Sequence, residues 1–255
     1  MSRPEGDLTG KRVVITGAAG GLGAPLAELL RAKGAHVTGI DRAQCPACDD
    51  AVALDLSDDA AVARFAETLA ANPPDILVNV AGVMSFGLHE EQSAEQLALC
   101  YKVNLIVPAQ LSRVAAGAMR ARGTGQIVNI GSVLGAIPYP WFAAYSSSKA
   151  GLAALSQGLR RELSGSGVTV THISPRAAKT AFNNARVNRF LEITGMKADK
   201  PDWVAARIAS AILARRDTVS IGAMERIYAA LNALAPRLID LGLAPQIRRA
   251  RAEFC

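Results

Sequence analysis

The chain has 255 residues, of which 50% are hydrophobic and 20% are charged, as in a globular protein with one large core. Its 28 basic and 22 acidic residues leave a net charge of +6, but no nucleic-acid-binding motif accompanies this excess, so no nucleic acid is expected among its partners. No apolar run reaches the roughly 18 residues of a membrane span, and the polar N-terminus has no signal-peptide core. These features predict a cytoplasmic protein.

Apolar segments alternate with helical patterns along most of the chain. Strands are predicted at residues 12–16, 36–41, 52–55, 75–80, 126–132, 169–173 and 218–222. Helices are predicted at residues 22–33, 59–71, 94–122 and 145–164. Strands that are apolar throughout and alternate with helices indicate a parallel sheet covered on both faces. The expected fold is therefore α/β, a single Rossmann-like domain over residues 1–255 whose doubly wound parallel sheet has about seven strands.

The residues after Gly222 exceed what such a fold needs. Apolar residues recur there at helical spacing, and Pro236 should kink or divide the helix. They are Met224, Ile227, Tyr228, Leu231, Leu234, Leu238 and Leu241. We interpret residues 223–255 as a C-terminal helical extension whose apolar face packs on its own subunit or a neighbouring one. The alternatives are a lid over a long-chain substrate and a peripheral membrane contact aided by the basic residues that follow.

Two of the four cysteines, Cys45 and Cys48, have the spacing of a metal site or a redox pair. A structural zinc site needs a second such pair, and neither Cys100 nor Cys255 belongs to one. We therefore expect no metal, and a reduced pair of thiols in a loop.

A glycine-rich turn links the first predicted strand to the first helix. Glycines there let the backbone turn tightly and let a pyrophosphate approach the helix N-terminus. A purely structural turn is the alternative, but the position between a strand and a helix favours cofactor binding. The candidate cofactor-binding residues of the turn are Gly17, Ala19, Gly20, Gly21, Leu22 and Gly23.

Polar residues follow the next strands at the same edge of the predicted sheet. Asp41 ends the second strand, where a carboxylate can accept both ribose hydroxyls and repels a 2′-phosphate, which predicts NAD rather than NADP. Arg42 could stack on adenine or bind a phosphate. Asp55 could meet the adenine amino group, or serve as a helix N-terminal acid. The other candidates at this edge are Leu56, Asn79, Ala81 and Gly82.

Tyr145 and Lys149 stand one turn apart on one face of a predicted helix, and Ser132 lies thirteen positions before the tyrosine. A free phenol has a pKa of about 10, and a neighbouring ammonium favours the phenolate. A serine hydroxyl can hold a carbonyl oxygen while the phenol exchanges a proton with it. An ordinary helix surface is the alternative, but the three residues together predict an acid/base site for an alcohol and carbonyl pair.

These motifs, in this order, resemble the short-chain dehydrogenase/reductase family over roughly residues 8–222. The resemblance is closest to its NAD-preferring members with a Tyr-x-x-x-Lys motif, although Val80 replaces the second asparagine of the usual Asn-Asn-Ala-Gly element. It implies that Tyr145 is the acid/base and that Ser132 holds the substrate oxygen. It also implies that Lys149 binds the nicotinamide ribose and lowers the tyrosine pKa, and that Asn104 completes a proton relay.

One departure from the family follows the sixth predicted strand, where Pro175 is followed by Arg176 instead of the usual glycine. The arginine could meet an acidic group of the substrate, meet the cofactor phosphates, or point to solvent. The resemblance implies that Thr180, five positions after the proline, contacts the nicotinamide carboxamide.

The residues expected around the substrate are mostly apolar, which suits a lipophilic or aromatic secondary alcohol; the alternative for each is a place in the core. Besides Ser132, Tyr145 and Arg176, the candidates are Val83, Ser85, Phe86, Leu134, Tyr139, Trp141, Phe142, Phe182 and Phe190.

The leading hypothesis is an oxidoreductase that transfers a hydride between NAD(H) and a secondary alcohol or ketone. The alternatives are a 3-oxoacyl-type ketoreductase using NADPH and a catalytically silent nucleotide-sensing protein. By resemblance, the helix after strand four and the Tyr145 helix should pair across a two-fold axis in a homodimer or homotetramer.

Overall fold

The computed structural model describes residues 7–254 and contains a seven-stranded parallel sheet with helices on both sides. The strand order is β3-β2-β1-β4-β5-β6-β7, so the chain reverses its winding direction between β1 and β4. The predicted fold class is confirmed. The strands are β1 (Arg12–Thr16), β2 (His36–Asp41), β3 (Asp50–Ala53), β4 (Ile76–Asn79), β5 (Gly125–Ile130), β6 (Val168–Ser174) and β7 (Thr218–Ser220).

The helices cover both faces of this sheet and continue beyond its last strand. They are α1 (Gly23–Ala32), α2 (Asp59–Ala71), α3 (Ala94–Tyr101), α4 (Val107–Arg122), α5 (Ala143–Glu162), α6 (Ala185–Thr194), α7 (Pro201–Leu213), α8 (Ala223–Leu234) and α9 (Pro236–Phe254). No helix in the described part of the chain is both long and apolar enough to cross a membrane.

The core consists of two apolar layers, one on each face of the sheet, and a third cluster that includes residues of α5, α6 and α9. Side chains along a strand alternate between the faces. Val13 and Ile15 of β1 accordingly pack in the layer of α1 and α7, whereas Val14 packs in the layer of α2 and α4. Burial on both faces explains why the central strands are apolar throughout. Because the strands are parallel, their carboxyl ends meet at one edge of the sheet.

Several element boundaries differ from the sequence prediction by one or two residues. β3 begins and ends two residues earlier than expected, at Asp50 and Ala53. The helix predicted over residues 94–122 is interrupted at Lys102–Ile106 by a wider turn, in which the Val107 N–H donates to the carbonyl oxygen of Lys102. Hydrophobic spacing does not reveal such a turn, because it adds only one residue to the helical repeat.

The C-terminal extension is divided at Ala235, just before Pro236, as the sequence predicted. Only part of its expected packing is present. One side of α9 packs on the chain through Leu243, Ile247 and Phe254, whereas α8 contributes no buried residue.

The cysteines in the described residues, Cys45, Cys48 and Cys100, are free thiols. Cys255 and the polar residues 1–6 lie outside the described residues. Between residues 7 and 254, no group of three or more His, Cys, Asp or Glu side chains is placed to hold a metal ion.

Candidate active site

A cavity of about 490 Å³ runs along the carboxyl ends of the central strands. This is the size of a small-molecule or cofactor site, and the position is where open α/β sheets bind ligands. The residues lining it come from the turn after β1 and from the segments after β2, β3, β4, β5 and β6. All the predicted catalytic and cofactor-binding residues line this cavity except Asn79 and Asn104.

The glycine-rich turn is built by close backbone approach. Gly17 has a φ of 71°, and a Cβ there would lie 2.7 Å from the Cα of Ala81 in the segment after β4. A Cβ on Gly23 would lie 2.1 Å from the carbonyl oxygen of Gly17. No side chain caps the N-terminus of α1. The Ala24 and Leu26 N–H groups donate to the carbonyl oxygens of Gly20 and Leu22, and Pro25 has no N–H, so the Gly23 N–H is the one that the first turn leaves for an anion. This arrangement suits a pyrophosphate.

Asp41 joins the end of β2 to this turn. One carboxylate oxygen accepts a hydrogen bond from the Ala19 N–H at 3.1 Å, and the other accepts from the Ala43 N–H at 3.2 Å. Asp41 therefore stands beside the turn with a negative charge directed at the cavity, where a ribose diol would be recognised.

Two charged residues that lie near Asp41, namely Arg42 and Asp55, are less well placed to bind a ligand. The Arg42 side chain is 76% exposed and reaches Asp55 only at 4.0 Å. The Asp55 carboxylate accepts hydrogen bonds from the backbone and the hydroxyl of Ser57, which lower its pKa. Asp55 thus stabilises the turn before α2 and lines the cavity, whereas the acids at the N-terminus of that helix are Asp58 and Asp59, not Asp55 as the alternative predicted.

The proton-transfer residues meet at the other end of the cavity. Ser132 follows β5, and Tyr145 and Lys149 occupy the first two turns of α5. Ser132 Oγ accepts from the Leu134 N–H at 3.1 Å, and its hydroxyl lies near enough to Tyr145 to act on the phenol's pKa. Lys149 Nζ donates to the Ile130 carbonyl oxygen at 2.9 Å and lies 5.9 Å from the centroid of the tyrosine ring. The helix thus positions the ammonium beside the phenol.

The pKa of Tyr145 differs from the sequence expectation. Burial raises it to about 12, and the hydrogen bond with Ser132 offsets only part of that rise. Burial also lowers the pKa of Lys149 to about 8. The expected depression of the phenol pKa is therefore not found in this structure, because burial disfavours the phenolate and Lys149 is not among the groups that lower its pKa.

Asn104 lies in the wide turn between α3 and α4 and is fully buried. Its side-chain oxygen accepts from the Val83 N–H at 2.8 Å, and its amide donates to the Val83 carbonyl and to Ser148 Oγ. A Cβ on Gly82 would lie 3.1 Å from Asn104 Oδ1 and 3.6 Å from Lys149 Nζ. Its side chain therefore holds the segment after β4 next to the lysine instead of facing the cavity.

Asn79, predicted to bind the cofactor, is also turned into the protein. Its side-chain amide donates to Asn129 Oδ1 at 2.8 Å and to Ser112 Oγ at 3.3 Å. These bonds tie β4 to β5 and α4, while Asn79 Oδ1 is buried without a hydrogen-bond partner. The structure does not bring this side chain to the cavity.

The substrate end is apolar, and the structure corrects part of its predicted membership. Tyr139 is 5% exposed and donates to Gln246 Oε1 at 2.6 Å, so it packs between the body of the chain and α9. Ser85, Phe86, Trp141 and Phe190 do not line the cavity either. The sequence prediction missed four residues of the apolar wall, Met84, Val187, Leu191 and Met196. Val187 and Leu191 lie one turn apart on α6, a spacing that could have indicated a shared face. The apolar wall consists of Val83, Met84, Leu134, Phe142, Phe182, Val187, Leu191 and Met196.

Arg176 fits none of its three predicted alternatives. Its guanidinium donates two hydrogen bonds to the carboxylate of Asp199, at 2.7 and 3.0 Å, and a third to Glu225 Oε1 at 3.2 Å. It lines the cavity, but its donors link the segment after β6 to the first turn of α8. A substrate-binding role thus has no geometric support from its guanidinium.

Comparison with known proteins places the chain in a family. The sequence profile of the short chain dehydrogenase family matches residues 11–189. Ketoacyl reductase HetN from Nostoc sp. is 32% identical over 182 residues, which are 66% of this chain and 63% of that protein.

Two solved structures extend the comparison. 4-hydroxyisoleucine dehydrogenase complexed with NADH matches with 27% identity and a TM-score of 0.72, covering 83% of this chain and 96% of that one. A short chain dehydrogenase from Burkholderia cenocepacia J2315 in complex with NADP matches with 25% identity and a TM-score of 0.78, covering 93% and 98%.

The chain therefore belongs to the short-chain dehydrogenase/reductase family, as its motifs indicated. It is an oxidoreductase of that family, dependent on a nicotinamide cofactor and acting on alcohol or ketone groups.

Proposed function

We propose that the chain transfers a hydride between NAD(H) and a lipophilic or aromatic secondary alcohol or its ketone. The observation that carries the proposal is one continuous cavity. It joins the glycine-rich turn and Asp41 at one end to Ser132, Tyr145 and Lys149 at the other, and an apolar wall lies beside the tyrosine.

The residues present fit a dinucleotide. The turn after β1 and the uncapped N-terminus of α1 would hold the pyrophosphate, Asp41 the adenosine ribose, and Lys149 the nicotinamide ribose. When bound, the nicotinamide supplies the hydride acceptor or donor.

The chain's own residues carry the proton. Ser132 holds the substrate oxygen, and the Tyr145 hydroxyl exchanges a proton with it. Because the pKa of Tyr145 is about 12, the phenol is protonated at neutral pH, which suits proton donation to a ketone oxygen. Lys149, with a pKa of about 8, is mainly charged at pH 7 and can resupply that proton.

Asp41 supports NAD over NADP. Its carboxylate is fixed against the turn by the Ala19 N–H, and a 2′-phosphate there would meet a negative charge. Arg42 is the neighbouring cation, but it is exposed and shared with Asp55. We expect NADH to bind at least about tenfold more tightly than NADPH, and Asp41→Ala to narrow that gap. Asp50→Ala, at an exposed carboxylate on β3, is the control. Equal affinities of the unmodified protein for NADH and NADPH would contradict the assignment of NAD.

Substrate class is tested with matched alcohols. The wall contributes Leu134, Phe142 and Leu191, and no charged side chain of that wall is free to pair with an anion. Turnover with NAD should therefore rise from small aliphatic to aromatic secondary alcohols and fall when a carboxylate is added. A preference for the carboxylate-bearing analogue would overturn this assignment.

The second candidate is a ketoreductase acting on 3-oxoacyl substrates with NADPH, which the similarity to ketoacyl reductase HetN favours. Turnover of a 3-oxoacyl thioester with NADPH, faster than any alcohol with NAD, would select it. A silent nucleotide sensor would bind NADH and turn over neither substrate.

Assembly as a homodimer or homotetramer, and a cytoplasmic location, remain predictions. The proposed contact uses the groove between α4 and α5, which includes Ala109, Gly117 and Leu155. Small side chains there suit close helix packing across a two-fold axis. Light scattering should give a mass at least twice that of one chain, and a monomer at micromolar concentration would contradict the prediction.

A further inference from the structure

The α8–α9 hairpin presents an apolar face to solvent. Of the eleven large hydrophobic residues that are exposed in residues 7–254, six lie on this hairpin, within an eighteen-residue stretch. Single exposed apolar residues are ordinary, but a contiguous patch marks a contact surface. We name these six residues the hairpin face: Met224, Ile227, Tyr228, Leu234, Leu238 and Leu241.

The face is exposed because the hairpin is held from its other side. In α9, Ile239 and Ala250 are buried and face the chain, whereas Leu238 and Leu241 are 55% and 71% exposed. At the tip of the hairpin, Leu234 is 86% exposed. α9 thus has an inner apolar side that is buried, whereas α8 has no buried residue, and both helices carry apolar side chains that are exposed to solvent.

Polar contacts fix the hairpin in this orientation. Glu225 pairs with Arg176 at the base of α8, and Asn232 Nδ2 donates to the Ala136 carbonyl oxygen at 3.0 Å. Gln246 accepts from Tyr139 on α9. The face is consequently a preformed surface on an anchored pair of helices.

The hairpin is also cationic. Residues 223–254 contain five arginines and three acidic residues. Two of those acids are already neutralised in ion pairs, Glu225 by Arg176 and Glu253 by Arg189, which leaves Asp240 against the five arginines. Arg226 and Arg237 are exposed between the residues of the hairpin face itself.

We propose that the hairpin face binds an anionic lipid surface. Leu234, Leu238 and Leu241 enter the boundary between headgroups and acyl chains, and Arg226 and Arg237 lie at the lipid phosphates. A second copy of the chain that presents the same face is a poorer occupant, because it would set two more exposed arginines against Arg226 and Arg237, with only Asp240 of each copy to offset them. This inference rests on the hairpin alone and does not depend on the proposed substrate or cofactor.

The test is co-sedimentation of the whole chain with vesicles. Vesicles of equal parts phosphatidylcholine and phosphatidylglycerol should carry the protein down, and pure phosphatidylcholine vesicles much less. Replacing Leu234 and Leu241 with glutamine should weaken binding by about tenfold per leucine, because each loses most of its apolar burial. Replacing Arg226 and Arg237 with glutamine should weaken it roughly fivefold per residue and reduce its sensitivity to salt.

Val52→Gln is the matched control. Val52 is an exposed apolar residue on β3, at the opposite edge of the sheet from β7 and α8, so its replacement should leave vesicle binding unchanged. The same samples are examined by light scattering and by thermal unfolding. If the double leucine variant does not fold, the two arginine variants carry the test.

Three results overturn the proposal. One is absence of co-sedimentation with the anionic vesicles. Another is binding that is equal on neutral vesicles and indifferent to the arginine variants. The third is a fall in oligomeric mass in the double leucine variant without any vesicle binding, which would assign the hairpin face to a contact between copies of the chain.

Discussion

The catalytic region of the cavity and the apolar wall beside it are built in different ways. In the catalytic region the polar groups around Tyr145 have fixed partners: Lys149 donates to the Ile130 carbonyl oxygen, Ser132 Oγ accepts from the Leu134 N–H, and Asn104 binds both polar backbone groups of Val83. At the substrate end the wall consists of apolar side chains from loops and from α6. Directional bonds fix positions to a fraction of an ångström, whereas apolar packing fixes only shape and volume. The chemistry is thus held rigidly, and the choice of substrate rests on shape.

Among substitutions in the catalytic region, the largest loss of turnover is expected at Lys149. Lys149→Ala removes the ammonium that holds Ile130 and that would bind the nicotinamide ribose. We expect turnover to fall by more than the roughly 10² to 10⁴ attributed to a positioned proton transfer, and NADH affinity to fall with it. Lys179→Ala, at an exposed lysine beside the cavity, is the control. Unchanged NADH affinity in the Lys149 variant would show that the lysine does not contact the cofactor.

A second test uses a buried histidine behind the catalytic end. His172 on β6 contacts Ser156 Oγ and Ser174 Oγ, and its pKa is lowered from 6.5 to about 4, first by burial and then by the charge of Lys149. Between these values the unfolded chain binds the proton and the folded chain does not. The free energy of unfolding should therefore fall by about 3 kcal/mol as pH drops from 6.5 to 4.

His172→Gln should remove most of that acid sensitivity in urea titrations at several pH values, since glutamine does not titrate. His89→Gln, at an exposed histidine, should leave the pH dependence as it is in the unmodified chain. Identical pH slopes in the His172 variant and the unmodified protein would show that His172 does not stay neutral in the folded state.

The smallest effect is expected at the link between the cavity and the hairpin. Arg176→Gln leaves Asp199 and Glu225, whose side chains are only 15% and 21% exposed, without their cation. The free energy of unfolding should fall by about 1–3 kcal/mol in urea, as for partly buried carboxylates that lose a partner. Replacing Arg176 and Glu225 together with glutamine should recover part of the loss. A stability equal to that of the unmodified chain would mean that the ion pairs are not formed in solution.

The same contrast explains what the sequence could predict. The sequence could predict the glycine-rich turn, and with it the set of Ser132, Tyr145 and Lys149. The chemistry of both requires particular residue types at short, fixed spacings. Their positions around the cavity follow from the parallel sheet, which brings the carboxyl ends of distant strands to one edge.

Other features depend on partners that are far apart in the chain. Tyr139 was placed at the substrate, but its partner Gln246 lies 107 positions away. Glu225 lies 49 positions from Arg176, and no local pattern joins them. The raised pKa of Tyr145 has the same origin, because burial is a property of the packed chain and not of the Tyr-x-x-x-Lys motif.

The central claim is that Tyr145, in the catalytic region of the cavity, exchanges the proton with the substrate oxygen. The most direct measurement compares turnover and NADH binding of Tyr145→Phe with those of the unmodified chain. Because the ring stays and only the hydroxyl is lost, NADH affinity should stay the same while turnover falls by roughly 10² to 10⁴. Retention of more than about a tenth of the turnover would contradict this role, since a positioned acid/base contributes far more than that.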